Sequence, residues 1–400
     1  MRAYERLLRY VQFDTVSDPK SSTCPSTEKQ FDLARALVEE LKQLGLKNAR
    51  VDETCYVYAT LPKNTDGQPS IGLIAHMDVS DAAPTSPVNA SLVPFDGKCL
   101  TLQNGDVLTP EKFPGLSKRA GKTLMVTDGK TLLGADDKAG IAEIMTCLET
   151  LAQDPSIPHG DIQVAFTPDE EIGRGADKFD VPGFGAEFAY TVDGGDIGSI
   201  EYENFNAASG VLQIHGVSIH PGSAKDRMIN ALNVAFEFHG MLPPTEVPEH
   251  TEGYEGFFHL SELRGGVENA LMHYIIRDHD MAKFTARKEL FAKNAEALNR
   301  KYGEGTVDVQ IVDSYFNMKE ALKDHMHVVR RAEDAFRAVG VEPFAEPIRG
   351  GTDGCRLSYM GLPCPNLPTG GLNAHGRHEL IAIEDMDKMV EMLVELVRAK

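Results

Sequence analysis

Amphipathic stretches and short apolar runs alternate along the first 200 positions of the chain. Apolar residues recur at helical spacing over 2–13 and over 27–45, where Gly45 closes the stretch. These stretches and Lys138–Leu151 are predicted helices. Shorter runs bounded by polar or turn residues predict strands over Ala49–Asp52, Val57–Leu61, Ile71–His76, Ile162–Thr167 and Phe188–Val192. Strands that alternate with helices indicate an α/β fold with a parallel or mixed sheet.

A different order of elements begins near residue 206. Strands are predicted over Asn206–Val217, Gly256–Leu263, Glu268–Arg277 and Val307–Val312, and helices over Ala224–Met241 and Met281–Tyr302. The order βαββαβ is that of the ferredoxin-like split unit, an α+β arrangement. The α/β pattern resumes after 318, with helices near 320–339 and 384–399. We therefore predict a small domain over 207–317, inserted into a larger, discontinuous domain over 1–206 and 318–400.

Residues 80–130 interrupt the α/β pattern of the larger domain. They are rich in Pro, Asp, Gly and Thr and contain only short strand-like pieces. We interpret them as an elaborated insertion rather than a further domain.

Composition and charge narrow the classes of protein to which this chain could belong. Its 400 residues are 42% hydrophobic and 25% charged, and no apolar run approaches the length of a membrane span. Residues 1–14 lack the continuous apolar segment of a signal peptide, so we expect a cytoplasmic protein. The formal net charge of −20 argues against binding to nucleic acid or to an anionic membrane. The six cysteines form no CxxC pair, which argues against a disulfide framework and against a cysteine zinc site.

Several metal-ligand residue types stand where predicted strands end. Strand ends in an open α/β sheet converge on one rim, where ligands bind. Imidazoles and carboxylates together suit one or two zinc ions. The candidate positions are His76, Asp78, Asp136, Glu170, Glu171, Asp193 and His375.

Each of these positions also has an ordinary explanation. Asp136 stands where a helix N-cap would stand, and Glu170-Glu171 has the form of a solvated acidic pair. His76 and Asp78 share one face of a strand, so Asp78 can orient the imidazole of His76, or the two can simply cap the strand. Five strand ends that each carry a ligand-type residue are hard to explain by capping and solvation. The conjunction favours a metal site, in which one glutamate binds metal and the other faces a bound water.

Other polar residues are candidates for binding substrate or for supporting the ligands. Arg277 and Arg349 have the planar fork of donors that suits a carboxylate, although either could instead form a surface ion pair. His220 follows the first strand of the inserted domain and could equally be a turn residue. His378 is a rival ligand to His375, and Glu379 is expected to orient His375.

Motifs along nearly the whole chain resemble one enzyme family. The segments AHMD, GADDKAG, TPDEE, EGYEGF, IRGGTDG and HGRHE together are similar to those of the tripeptide aminopeptidases in the dinuclear-zinc aminoacylase and carboxypeptidase clan. The resemblance implies two Zn²⁺ ions per subunit. His76 and Asp193 would complete one zinc site, and Glu171 and His375 the other. Asp136 would bridge the ions, because the bridging Asp of the clan stands two positions before a Lys.

The resemblance also implies an activity, with a role for each remaining candidate. The larger domain would be catalytic, and the inserted domain would be its lid. A zinc-activated water would hydrolyse the first peptide bond of a tripeptide, with Glu170 as general base and Asp78 as the partner of His76. His220 would polarise the scissile carbonyl or hold the tetrahedral oxyanion, and Arg277 and Arg349 would bind the terminal carboxylate.

The resemblance leaves the assembly and the substrate to be tested. It implies that lid domains pair into a homodimer. A related dinuclear-zinc dipeptidase, an N-acyl amino acid deacylase and, more remotely, a non-catalytic peptide-binding protein are the alternatives.

Overall fold

The structure, a computed structural model, describes residues 1–399 and is built from strands and helices in alternation. The strands are β1 (Lys47–Val51), β2 (Val57–Leu61), β3 (Ile71–His76), β4 (Ser91–Pro94), β5 (Leu100–Thr101), β6 (Val107–Leu108), β7 (Thr123–Val126), β8 (Ile162–Thr167), β9 (Phe188–Val192), β10 (Ser199–Ile200), β11 (Asn206–His215), β12 (Phe257–Gly265), β13 (Asn269–Asp278), β14 (Val307–Tyr315), β15 (Phe344–Ala345), β16 (Asn366–Leu367), β17 (Gly371–Leu372) and β18 (Leu380–Ala382).

The helices lie between these strands. The α-helices are α1 (Ala3–Tyr10), α2 (Gln30–Gln43), α3 (Ala135–Gln153), α4 (Val181–Phe184), α5 (Ala231–Gly240), α6 (Met281–Tyr302), α7 (Lys319–Leu322), α8 (Met326–Ala338), α9 (Asp353–Tyr359) and α10 (Ile383–Val397). Short 3₁₀ turns cover Pro114–Arg119, Glu170–Ile172, Pro221–Ser223, Pro248–His250 and Lys323–His325. No helix in this part of the chain is both long and apolar enough to cross a bilayer.

The chain divides into two compact units. The first comprises Met1–Tyr202, Ala321–Glu346 and the C-terminal stretch from Thr352, and the second comprises Glu203–Glu320 and Pro347–Gly351. The inserted unit thus begins and ends a few residues outside the expected range of 207–317. It also takes in a short return segment, 347–351, that the sequence pattern did not separate from the larger domain.

A six-stranded mixed sheet forms the centre of the first unit. The strand order is β1-β2-β8-β3-β9-β16. Strands β8, β3, β9 and β16 run parallel to one another, and β2 is antiparallel to both of its neighbours, β1 and β8. Every residue of β3 and of β9 is buried, as expected for strands covered on both faces. Helix α3 packs against β3, α1 and α10. This architecture confirms the predicted α/β class.

A second sheet of the first unit incorporates the segment that looked irregular in sequence. Strands β4 and β7 of region 80–130 pair with the late strands β18 and β17 in the order β17-β18-β7-β4. Apolar side chains from this segment and from the late strands form one small core. The sequence could not predict this sheet, because β7 and β18, whose pairing joins its two halves, lie more than 250 positions apart.

The second unit is the expected split βαββαβ unit. Its sheet has the order β12-β13-β11-β14 and is antiparallel throughout. Helices α5 and α6 pack on this sheet around an apolar core that includes Phe238, Phe291 and Tyr274. Side chains of β13 alternate between buried and partly exposed, which is the pattern of a sheet covered on one face. The predicted ferredoxin-like βαββαβ topology is therefore confirmed.

Several predicted elements differ in length from the observed ones. Helix α5 begins at Ala231 rather than at 224, because the Asn230 side chain accepts a hydrogen bond from the Leu232 N–H and caps the helix there. Strand β11 ends at His215 rather than at Val217. The helix expected over 320–339 is divided into α7 and α8 by a 3₁₀ turn at Lys323–His325.

Candidate metal centre

The carboxyl ends of three parallel strands bring the candidate ligands of the first unit together. His76 ends β3 and pairs in register with Thr167, the last residue of β8. Strand β9 runs parallel on the other side of β3, and Asp193 follows its last residue. Neighbouring parallel strands end at one rim, so side chains at their ends meet there.

Asp136 reaches this rim from the start of α3. Gly134 precedes it with a φ of +77°, a left-handed conformation that turns the chain into the helix. Asp136 and Asp137 are joined by a cis peptide bond and have non-helical backbone angles. The regular helix therefore starts after the Asp pair.

The two carboxylate oxygens of Asp136 face different histidines. Its Oδ1 lies 3.0 Å from Nε2 of His76, and its Oδ2 lies 3.2 Å from Nε2 of His375. Asp193 Oδ1 is 3.8 Å from the same nitrogen of His76, and Glu171 Oε2 is 2.8 Å from that of His375. One histidine and one carboxylate therefore lie on each side of Asp136.

These distances fit a pair of cations. Two ligand atoms that share a tetrahedral zinc stand about 3.4 Å apart, given zinc–ligand bonds of about 2.1 Å. Within residues 1–399, Glu171 Oε1 is buried and has no hydrogen-bond partner, so a cation would satisfy an otherwise unpaired ligand atom. Imidazoles with carboxylates are a donor set that zinc accepts. The five side chains thus form a candidate dinuclear metal centre.

The titration behaviour of the cluster points the same way. Burial opposes a charge on His76, but its hydrogen bond with Asp136 and the nearby charge of Asp193 raise its pKa well above the usual range. Hydrogen bonds with Asp136 and Glu171 raise the pKa of His375 to about 11. Burial, reinforced by the charge of Asp136, raises the pKa of Asp193 well above its usual range. The crowded carboxylates thus favour positive charge on their neighbours, and bound cations would supply positive charge to the same cluster.

Asp78 connects one ligand to the acidic pair. Its carboxylate accepts hydrogen bonds from the backbone N–H of Glu170 at 2.9 Å and of Glu171 at 3.2 Å. His76 Nδ1 lies 3.1 Å from the Asp78 carbonyl oxygen and 3.4 Å from its Oδ1. Asp78 is fully buried, so these contacts fix both the imidazole and the turn that carries the two glutamates.

Glu170 stands in the 3₁₀ turn beside this cluster. Burial raises its pKa well above the usual range, and the carboxylates of Asp353, Asp193 and Glu171 add to that rise. General acid–base catalysis is most efficient when the pKa of the carboxyl group lies near the working pH.

Glu379 does not act as the sequence suggested. We expected it to orient His375, but its carboxylate instead accepts the backbone N–H of Leu133 and Gly134 at 2.7 Å and of Asp136 at 2.9 Å. It is 3% exposed. Glu379 therefore holds the turn that presents Asp136. His375, in turn, has a left-handed φ of +61° in the loop between β17 and β18.

Two further carboxylates support the turn after β8 and were missed in the sequence. Fully buried Asp169 has a φ of +59° and accepts hydrogen bonds from Ser26 N at 2.7 Å, Ser26 Oγ at 2.5 Å and Gln30 Nε2 at 2.7 Å. Asp353 Oδ2 accepts from the Thr167 hydroxyl at 2.7 Å. The partners of Asp169 and Asp353 lie more than 130 positions away, so local sequence carried no signal for either contact.

The rival ligand His378 lies apart from the cluster contacts. Its Nε2 is 3.0 Å from Asp106 Oδ2, and its ring packs edge-on against Phe113. It pairs with the insertion instead of with a candidate ligand.

His220 belongs to the second unit, where it caps a short 3₁₀ turn. Its Nδ1 accepts a hydrogen bond from the Gly222 N–H at 3.1 Å, and the residue is exposed. Because Nδ1 accepts, the neutral ring carries its proton on Nε2, which is then a donor.

The two candidate arginines lie together in the second unit. Arg277 Nη1 donates to the carbonyl oxygen of Arg349 at 2.9 Å. The guanidinium of Arg349 donates to the carbonyl oxygens of Thr251, Gly253 and Glu255 and to the Thr251 hydroxyl. The Arg349 side chain is thus hydrogen-bonded to the 251–255 loop, whereas Arg277 retains N–H groups that make no hydrogen bond within the described residues.

Comparison with known proteins places this geometry in a family. A sequence model of the peptidase family M20/M25/M40 matches residues 125–399. The chain belongs to this family. Peptidase T of Alkaliphilus oremlandii is 54% identical over 399 residues, which is 98% of each chain. Peptidase T of Caldanaerobacter subterraneus is 53% identical over 99% of this chain and 98% of its own. Membership of the M20/M25/M40 family confirms the resemblance seen in the motifs and the prediction that the chain is a peptidase.

Solved structures share the fold over nearly the full length. The aminopeptidase PepT of Bacillus cereus aligns with a TM-score of 0.79 at 24% identity, covering 99% of this chain and 97% of its own. A tripeptidase of Staphylococcus aureus aligns with the same TM-score and coverage at 22% identity. A dinuclear metal-binding M20 peptidase of Bacillus subtilis aligns at 0.66 and 15% identity, covering 99% and 96%. The M20/M25/M40 fold thus extends over the whole chain.

Proposed function

We propose that the chain is a metal-dependent aminopeptidase that removes the N-terminal residue from tripeptides. The observation that carries the proposal is the arrangement around Asp136, whose two oxygens face two histidines, each with a further carboxylate beside it. The relatives named peptidase T, which match over the full length of the chain, support the substrate class.

We infer that the metal is zinc and that two ions bind. His76 and Asp193 would hold one ion, Glu171 and His375 the other, and Asp136 would contact both. When bound, zinc lowers the pKa of water and polarises carbonyl oxygens. The mixed nitrogen and oxygen donor set supports this choice over magnesium or calcium, which prefer oxygen ligands alone.

Glu170 is the proposed general base, and Asp78 holds it in place. The Glu170 carboxylate would accept a proton from the attacking water and later donate it to the leaving amine. The hydrogen bonds from the N–H groups of Glu170 and Glu171 to Asp78 support a fixed orientation of the acidic pair.

The second unit would supply the groups that recognise the rest of the substrate. His220 has its Nε2–H as a donor for the carbonyl oxygen of the scissile bond. Arg277 and Arg349 would recognise the C-terminal carboxylate, with Arg277 as the residue whose donors are less occupied within the second unit. The open edges of β12 and β14 support a homodimer formed through this unit, which analytical ultracentrifugation would test. A cytoplasmic location stays a prediction, which cell fractionation would test.

The deciding experiment combines metal analysis with a substrate panel. We expect two zinc ions per chain and hydrolysis of tripeptides ahead of dipeptides, tetrapeptides and N-acyl amino acids. Chelation should abolish hydrolysis, and added zinc should restore it. Undiminished tripeptide hydrolysis in metal-free protein would refute the metal-dependent mechanism. Faster hydrolysis of a dipeptide or of an N-acyl amino acid would replace the substrate class but retain the centre.

A further inference from the structure

Four residues of the second unit form one row across its sheet. Phe257 of β12 pairs with Arg277 of β13, which pairs with Ala207 of β11, which pairs with Tyr315 of β14. Residues that pair directly across neighbouring strands project from the same face of a sheet. The row therefore places one cationic side chain between two aromatic ones on a single face.

The small residue in the row lets the aromatic rings approach the cation from both sides. Ala207 is 2% exposed and offers only a methyl group between Arg277 and Tyr315. The guanidinium carbon of Arg277 lies 5.9 Å from the ring centre of Phe257 and 5.9 Å from that of Tyr315. Both distances are within the range of a cation–π contact. The guanidinium is thus bounded by aromatic surfaces contributed by both edge strands.

The hydrogen bonds of the guanidinium define which of its edges remains available. Nη1 of Arg277 donates a hydrogen bond to the backbone carbonyl oxygen of Arg349. The side chain of Arg349 makes four hydrogen bonds with the 251–255 loop. In the described part of the chain, Nε of Arg277 is buried and has no hydrogen-bond partner, and Nη2 makes no hydrogen bond. Nε and Nη2 form one edge of the planar fork, which matches the two oxygens of a carboxylate. A buried donor without a partner is uncommon in folded proteins, and an acceptor oxygen of a ligand at this edge would satisfy it.

We propose that Tyr315 and Phe257 are positioning residues that hold Arg277 for recognition of the substrate's C-terminal carboxylate. The rings restrict the guanidinium plane and exclude water from its faces, while the Arg349 carbonyl fixes its rotation. A carboxylate then meets a donor edge that is already oriented and partly desolvated. The inference rests on the proposed function, in which Arg277 binds that carboxylate, and it adds the residues that make this binding selective.

The test compares a tripeptide with the same tripeptide amidated at its C-terminus. The measured quantity is kcat/KM for the free tripeptide divided by kcat/KM for its amide, in the zinc-loaded, full-length protein. For each substrate, kcat and KM are determined separately. Tyr315→Leu and Phe257→Leu each remove one ring, and Tyr315→Phe retains a ring. Phe236→Leu is the matched control, because Phe236 is 63% exposed on α5 and lies outside the row. Arg277→Ala measures the contribution of the carboxylate contact itself.

We expect Tyr315→Leu and Phe257→Leu each to lower the ratio about 3- to 10-fold, the size of a partly desolvated cation–π contact. The fall should reside in KM for the free tripeptide, with hydrolysis of the amide unchanged. Tyr315→Phe and Phe236→Leu should retain the wild-type ratio, and Arg277→Ala should lower it furthest.

The outcomes separate this proposal from the one on which it rests. Equal hydrolysis of tripeptide and amide by the wild-type protein would refute carboxylate recognition itself. If Arg277→Ala abolishes the preference but both ring removals retain it, the positioning role is refuted and the proposed function stands. Equal losses for both substrates in the Leu variants would also refute it, because the rings would then support the fold rather than the carboxylate contact.

Discussion

Replacing Glu379 by glutamine tests whether a carboxylate that is hydrogen-bonded to the backbone around Asp136 controls metal binding at the candidate centre. One Glu379 oxygen accepts the N–H groups of Leu133 and Gly134, and the other accepts the N–H of Asp136. Glutamine has a single side-chain oxygen, so it retains the first two bonds at best. Its amide nitrogen would then face the Asp136 N–H. Both groups are hydrogen-bond donors, so they cannot bond to each other.

The expected magnitude follows from this count. Losing one hydrogen bond to a charged acceptor costs about 1.5–3 kcal/mol of unfolding free energy, and the lost bond from Asp136 is partly buried. Weakening a contact that orients a metal ligand typically costs about 10- to 100-fold in metal affinity. Glu379→Ala would leave the two buried N–H groups of Leu133 and Gly134 unpaired, at about 1–3 kcal/mol each, together with the partly buried N–H of Asp136, and should be more damaging still. Burial raises the pKa of Glu379 to about 7, so the comparison belongs at pH 8, where its carboxylate is charged.

Zinc affinity by chelator competition and urea unfolding of the metal-free protein measure the two effects separately. Glu384→Gln is the matched control, because exposed Glu384 also accepts a backbone N–H, that of Thr123, but at the start of α10. We expect Glu384→Gln to bind zinc as the wild type does, and excess zinc to restore part of the activity of Glu379→Gln. Unchanged zinc affinity in Glu379→Gln would refute the argument that this carboxylate presents Asp136.

Three further substitutions probe other parts of the first unit. Glu170→Gln should keep both metal ions and lower kcat by about 10²- to 10⁴-fold, and near-normal turnover with full metal content would remove its role as general base. Asp169→Asn should lower the free energy of unfolding by about 2–4 kcal/mol in urea titrations, because its acceptors serve three buried donors, and wild-type stability would contradict that role. Gly140→Ala should impair folding, because an added Cβ would overlap the carbonyl oxygen of Val192. The control Gly240→Ala should fold normally, because the space around Gly240 is open. Soluble yield and circular dichroism measure the difference between the two variants.

The residues of the candidate centre could be selected from the sequence because of where they stand. His76 and Asp193 follow apolar runs whose length and bounds predict strands, and parallel strands end at one rim. The βαββαβ order of the inserted unit was likewise visible, because hydrophobic periodicity changes with each element. Both inferences use patterns that extend over a few neighbouring residues.

Contacts between distant segments could not be predicted in this way. The expectation that Glu379 orients His375 came from their closeness in sequence, but the carboxylate is bonded to a turn about 245 positions away. The pairing of β7 with β18 and the hydrogen bonds of Asp169 with Ser26 are of the same kind.

Local periodicity and residue chemistry in the sequence determined the two folds, the strand ends and the residue types able to bind cations. Only the tertiary structure decided which oxygen faces which nitrogen, which carboxylates hold the turns around Asp136 and Glu170, and which edge of Arg277 remains available. The physical reason is that the strength of a hydrogen bond changes when the donor–acceptor distance shifts by a few tenths of an ångström or the angle moves away from linear. Segments far apart in the chain acquire such geometry only when the whole fold packs.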